Sequence, residues 1–184
     1  MPMDTTAEQL IGIIKRQPSN PNFLNAHRFR MVLHRTPSMI YFMQEVNLPG
    51  ISTGAPIQPT PFVDIPHHGD KLVFEDLTVS FAIDEDMKNY REIQQWLYGL
   101  TFPQRFEQHA DLVQGMHNRY SDILLVILNS NYNPQHYVMF RQAWPSSLGS
   151  IQFNSKDQDV VVQPVSVTFK YAYYEFLDIG DVSS

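Results

Sequence analysis

The chain has 184 residues, carries 13 Lys and Arg against 19 Asp and Glu, and contains no cysteine. That length fits one domain with room for short arms, and the missing cysteine excludes disulfides, thiolate catalysis and Cys-based zinc sites. A formal charge of −6 argues against a nucleic-acid binder held by a net positive field.

With 43% hydrophobic and only 17% charged residues, the chain has material for a sizeable core. So few charges also suggest surface covered by partners, since roughly 25% is usual. No stretch approaches the ~20 apolar residues of a membrane-spanning helix. Met1–Thr6 shows no basic region followed by an apolar run, so the expectation is synthesis in a cytoplasm and no membrane insertion.

In chain order, Thr5 and Glu8 form a capping-box pattern ahead of Leu10, Ile11, Ile13 and Ile14, which predicts a short amphipathic helix. Pro18 and Pro21 stop it. Residues 1–22 are therefore read as an arm distinct from the body. Arg28–Arg35 predicts a partly buried strand, Thr36-Pro37-Ser38 a turn, and Met39–Val46 the returning strand of an antiparallel hairpin.

Between Leu48 and Asp70 stand Pro49, Pro56, Pro59, Pro61 and Pro66, five of the thirteen prolines in the chain. Prolines remove ladder donors, so this stretch does not belong in the middle of a sheet. Its apolar residues Leu48, Ile51, Ile57, Phe62, Val63 and Ile65 distinguish it from a disordered linker. It reads as a protruding arm or edge hairpin that forms an oligomer interface together with Pro49, or else as a long ordered surface loop.

Lys71–Ile83 predicts one long strand with Leu77, Val79, Phe81 and Ile83 on one face. Asp84-Glu85-Asp86 then precede a helix in which Tyr90, Ile93, Trp96, Leu97 and Leu100 recur at helical spacing. Phe102–Arg119 has no period and is read as an irregular excursion. Ser121–Asn129 predicts a buried strand, Asn131–Pro134 a turn, and Tyr137–Phe140 its partner, leading to Trp144. Val165–Phe176 predicts the last long strand, with Val165, Val167, Phe169 and Tyr171 on one face, and 178–184 reads as a tail. The chain is mainly β with one strong helix.

The sequence contains little that carries catalysis. There is no Gly-x-Ser-x-Gly elbow and no phosphate-cradling glycine loop. His67 and His68, flanked by Asp64 and Asp70, form the only metal-like cluster; adjacent residues of an extended segment point apart, so they are read as solvent or interface histidines. The acids at 84–86 lack the glycine turn and distal glutamate of a calcium loop. Tyr90, Ile93, Trp96 and Trp144 are read as core or interface anchors. No catalytic residue, cofactor or metal is assigned.

The order of these pieces resembles the tail-tube-fold proteins of contractile-tailed bacteriophages, over roughly residues 23–177. The resemblance rests on Phe29-Arg30-Met31-Val32, Val46-Asn47-Leu48-Pro49-Gly50, His68-Gly69-Asp70-Lys71-Leu72, Leu77–Phe81 and Asp84-Glu85-Asp86 with Asn89-Tyr90. It continues through Trp96-Leu97, Trp144–Gly149 and Val165–Tyr171. It implies a β-sandwich or small barrel with a flanking helix, and six copies in a ring whose hairpins close around a lumen. The hairpins around Arg28–Val46 and Lys71–Ile83 would then line that lumen.

The resemblance further implies a non-enzymatic virion component of stacked rings. Its partners would be tail sheath and baseplate proteins, with DNA and a tape-measure protein passing through without specific binding. The 1–22 arm lies outside the pattern, and Asn89-Tyr90-Arg91 with Trp96 looks closer to tube-initiator members. A baseplate initiator or terminal adaptor ring is therefore the alternative to the tube itself. A small β-sandwich enzyme or ligand-binding module is the alternative from another class, and a deep pocket of convergent polar groups would favour it.

Overall fold

The computed structural model describes residues 22–101, 119–154 and 162–177. The predicted N-terminal helix, nearly all of the 102–119 excursion and the 178–184 tail lie outside the described residues. In chain order the elements are β1 (Phe29–Leu33), α1 (Pro37–Tyr41), β2 (Met43–Val46), β3 (Ile51–Thr53), β4 (Ile57–Gln58), β5 (Ile65–Pro66) and β6 (Leu72–Phe74). They continue with β7 (Leu77–Ala82), α2 (Lys88–Thr101), β8 (Ser121–Leu128), β9 (Pro134–Leu148), β10 (Pro164–Lys170) and β11 (Tyr173–Leu177).

Strands β1, β8, β9, β10, β7 and β2 form one hydrogen-bonded path in that order, with β11 joined to β9. The first part of β9 lies between β8 and β11, and its last part lies beside β10. Two strands therefore pass from one layer to the other. In β9 the crossing falls at Gln142, whose φ of 55° and extra residue opposite β8 make a bulge. In the chain running from β10 to β11 it falls at Tyr171-Ala172, where Ala172 donates its N–H to the Arg141 carbonyl at 3.0 Å. Bulged strands that switch sheets make the corners between two packed layers.

The alternation read from sequence sets the core. Leu77, Val79 and Phe81 from β7, and Val165, Val167 and Phe169 from β10, meet Met31, Leu33, Ile123, Leu125, Val138 and Phe140 in one cluster. Helix α2 closes it with Ile93 and Trp96. The Trp96 ring packs 6.1 Å from Phe169 and donates its Nε1 proton to the Arg119 carbonyl at 3.1 Å. The Arg35 guanidinium lies 4.9 Å from the same ring, and burial lowers the pKa of Arg35. At the start of α2, the Asp84 carboxylate accepts the Asn89 N–H at 3.4 Å. The three acids thus precede the helix rather than occupying its first turn.

Four expectations are corrected. Arg28–Val46 is not a hairpin, because β1 pairs with β8 and β2 with β7, and Met39 lies in α1. A long-range partner outcompetes the nearby one because both edges of the path must bury their inner faces on the same core. Lys71–Ile83 breaks at Glu75-Asp76 into β6 and β7. Val165–Phe176 breaks at the corner into β10 and β11. Trp144 is 36% exposed, so it is no core anchor: its neighbours Ala143 and Pro145 take the inward positions of β9.

Pro145 lies inside β9, where a ladder donor is missing. It faces Phe169 at a bulge whose extra residue, Ser146, donates its hydroxyl to the Thr168 carbonyl at 3.1 Å. A bulge is where a sheet accommodates proline.

Candidate assembly surface

The proline-rich stretch is a β-hairpin, not an irregular loop. Strand β3 pairs with β6 and β4 with β5, and both ladders prolong the β2–β7 pairing. From Val46↔Val79 to Ile51↔Phe74 the register advances equally on both strands. From Thr53↔Leu72 to Ile57↔Pro66 it advances four positions outward but six on the return. Asp70 and Lys71 lie in this two-residue excess, beside the close crossing of Gly54 and Gly69.

At about 3.3 Å per residue the arm reaches at most ~40 Å from Ile51 to its tip. The tip is closed by Thr60, whose hydroxyl donates to the Val63 carbonyl and accepts the Val63 N–H. Cross-strand contacts hold the middle. His67 Nε2 lies 2.8 Å from Gln58 Oε1, and the Thr53 hydroxyl donates to the Gly69 carbonyl at 3.1 Å.

The arm's side chains meet little of this chain. Phe62 is 98% exposed, and Ile51, Ile57, Val63 and Ile65 are exposed with it. Leu72 and Val73 on β6 are exposed as well; they were read from the sequence as part of a body strand, and only their pairing with β3 shows that they belong to the arm. Burial of one such side chain is worth about 1.5–3 kcal/mol, so an apolar ribbon of this length favours a covering partner. Leu48 is exposed at the root, whereas Pro49 is buried there. Of the anchors, Ile93 and Trp96 are buried, while Tyr90 is half-buried and donates its hydroxyl to the Gly149 carbonyl at 3.4 Å.

The root is tied densely. Asn47 accepts the Thr78 N–H at 2.6 Å and donates to the Asp76 carbonyl at 3.1 Å. Lys170 pairs with Asp76 at 2.6 Å. Tyr171 donates its hydroxyl to the Glu75 carbonyl at 2.7 Å, and Tyr174 donates to the Pro49 carbonyl at 3.2 Å. Burial raises the Tyr171 pKa to about 12, helped by nearby Tyr174, Asp76 and Glu75. Sequence periodicity placed Tyr171 on a strand face but carried no signal of this contact.

An open groove of about 600 Å³ is lined mainly by apolar residues such as Phe42, Ile83, Ile151 and Phe153. The groups with displaced pKa values, Arg35, Asp86, Lys88, Arg141 and Tyr171, line none of it. They are explained by ion pairs and burial within the framework. Among the described residues, no three metal-ligating side chains converge, and no helix is long and apolar enough to cross a membrane.

Solved structures share this fold. A protein of the anti-feeding prophage baseplate matches with a TM-score of 0.61 at 10% identity, over 88% of this chain and 99% of that chain. The tube-terminating cap of the anti-feeding prophage matches with a TM-score of 0.60 at 11% identity, over 88% and 95%. The sheath/tube terminator of the PVC extracellular contractile injection system, in its extended state, matches with a TM-score of 0.52 at 13% identity, over 85% and 98%. No curated protein sequence matches. The phage tail tube protein model matches residues 26–177, the span that holds the whole sandwich and its arm, and on that match the chain belongs to the phage tail tube protein family.

Proposed function

We propose that this chain is a structural subunit that assembles into six-membered rings of a contractile tail or injection system, with no catalytic role. The observation that carries the reading is the apolar arm, exposed from Ile51 to Val73 except at half-buried Thr60 and Gly69, on a chain of the tail tube family. A ring needs two different surfaces that meet head to tail, and an arm that leaves its own body supplies one of them. Laying Ile57, Phe62, Val63 and Ile65 on the next copy covers them. In stacked rings the lumen would pass DNA and a tape-measure protein without holding them, and a formal charge of −6 suits weak attraction to phosphate. Sheath and baseplate proteins are the expected neighbours.

The test is assembly. Electron microscopy of purified protein is expected to show rings or stacked tubes, and F62D/V63D is expected to yield folded monomers. A wild-type protein that stays monomeric at high concentration would falsify the ring reading, and a variant that assembles normally would show that the arm is not the interface.

A second reading is a ring at one end of the tube. The three structures above are baseplate, cap and terminator components, which favours it over a repeating tube subunit. Counting copies per particle separates the two, because a terminal ring contributes six copies and a tube contributes many times more.

A further inference from the structure

The arm's outer ladders are two-stranded ribbons, and among the described residues β3–β6 and β4–β5 bond to no other strand. A lone ribbon is at best marginally ordered, and a floppy arm loses conformational entropy again at every docking. What fixes its direction must act at the root.

Two hydroxyls meet that requirement, and they reach the two strands separately. Tyr174 donates to the Pro49 carbonyl on the outgoing strand, and Tyr171 donates to the Glu75 carbonyl on the returning strand. The Glu75 carbonyl is available because the Gly50 N–H, its expected ladder partner, is bound at 3.2 Å by the Glu75 carboxylate instead. Proline 49 carries no N–H at all, so its carbonyl is the one main-chain hydrogen-bonding group it offers.

Both tyrosines come from the corner where β10 hands over to β11. Their rings also join arm to core. Phe74, the last residue of β6, packs 6.1 Å from Tyr171 and 5.5 Å from Tyr174. The buried Phe140 of β9 packs 5.1 Å and 5.5 Å from the same two rings. Asn47 and Gly50–Glu75 tie the root strands to each other and Lys170–Asp76 ties the returning strand to the end of β10, while among the described residues the two tyrosine hydroxyls reach both strands from the sheet corner.

We propose that Tyr171 and Tyr174 are positioning residues that aim the arm for docking onto a second copy of this chain. The inference rests on the arm being the ring interface. The hydroxyls set the angle at which the ribbon leaves the body, and the rings supply packing that survives without them.

The chain has no cysteine, so two can be introduced cleanly for spin labels: D64C at the arm tip and R91C on the exposed face of α2. Labelled protein diluted in unlabelled protein reports the tip-to-body distance distribution. A narrow distribution is expected in the otherwise wild-type chain. In Y171F/Y174F the aimed population is expected to fall at least about fivefold, as losing two net hydrogen bonds implies, with ring yield falling in parallel. Y90F removes a tyrosine hydroxyl elsewhere and is expected to change neither readout. Thermal unfolding within a few degrees of wild type confirms that the aromatic cluster remains folded.

An unchanged distribution in Y171F/Y174F overturns the proposal, as does equal broadening in Y90F. If F62D/V63D blocks rings while Y171F/Y174F assembles normally, the arm is the interface but the tyrosines do not aim it. If the tyrosine pair broadens the distribution while F62D/V63D still assembles, the aiming stands as a property of the arm and the arm's role in the ring fails.

Discussion

Gly69 lies against the main chain of Gly54 so closely that a Cβ on Gly69 would stand 2.4 Å from the Gly54 carbonyl oxygen. The obstacle is backbone rather than a movable side chain, so Gly69→Ala must separate the strands where the arm's register shifts. Overpacking of this kind costs about 1–3 kcal/mol. The loss is expected in the arm alone. Amide exchange should accelerate at His67, whose N–H is held by the Pro56 carbonyl, while the main thermal transition moves by no more than ~2 °C. A large drop in the main transition would show that the arm is part of the core's cooperative unit.

Gln142 holds a left-handed backbone, with its N–H bound at 2.9 Å by the Asp122 carboxylate. That carboxylate also pairs with Arg141 at 2.9 Å, and Arg141 reaches Glu175 at 2.8 Å. Gln142→Gly is expected to be neutral or to stabilise by up to ~1 kcal/mol, because glycine adopts this conformation without a Cβ clash. Gln142→Val is expected to lose about 1–2 kcal/mol. Urea unfolding of the two variants gives the sign directly.

Trp96 is 2% exposed in the core. Trp96→Ala is expected to destabilise by about 3–5 kcal/mol and to loosen Arg35 with it. Trp96→Phe keeps most of the packing and strands only the Arg119 carbonyl. Arg119 is exposed, so water replaces the indole and the cost is expected near ~1 kcal/mol. Equal losses in the two variants would mean that the hydrogen bond, not the packing, dominates.

Tyr171 is expected to titrate late. Its pKa in the folded chain is about 12, against 10.0 for the free side chain, so folding favours the neutral hydroxyl. The stabilisation is fully present below pH ~10 and is lost as pH rises through ~12. Absorbance titration of the folded protein at alkaline pH should show a late phenolate step that Y171F removes. If that step persists in Y171F, the raised group is another of the nine tyrosines.

Local pattern made the sandwich's interior legible. The spacing of Leu77, Val79 and Phe81, and of Val165, Val167 and Phe169, names the buried faces of β7 and β10, and the recurrence of Ile93 and Trp96 names the inner face of α2. Pairing was not legible, because alternation says which face is buried but not which strand lies alongside. Phe29 finds Ile127 rather than a residue just beyond the turn. Corners were missed for a related reason: Tyr171 continues the apolar alternation of β10, and nothing in that pattern marks the change of sheet at Ala172. The prolines marked the arm, yet its return strand β6 was hidden because Leu72-Val73-Phe74 looks like the beginning of β7.

The pairing of β1 with β8 has a consequence on the ribosome. Phe29 leaves the exit tunnel about 100 residues before its partner Ile127, which at ~5–20 residues per second is a wait of roughly 5–20 s. Through that interval β1 is an unpaired apolar strand beside other nascent chains. The positive charges at Arg28, Arg30 and Arg35 bracket and interrupt it, and charge on a waiting edge is what discourages pairing with the wrong chain.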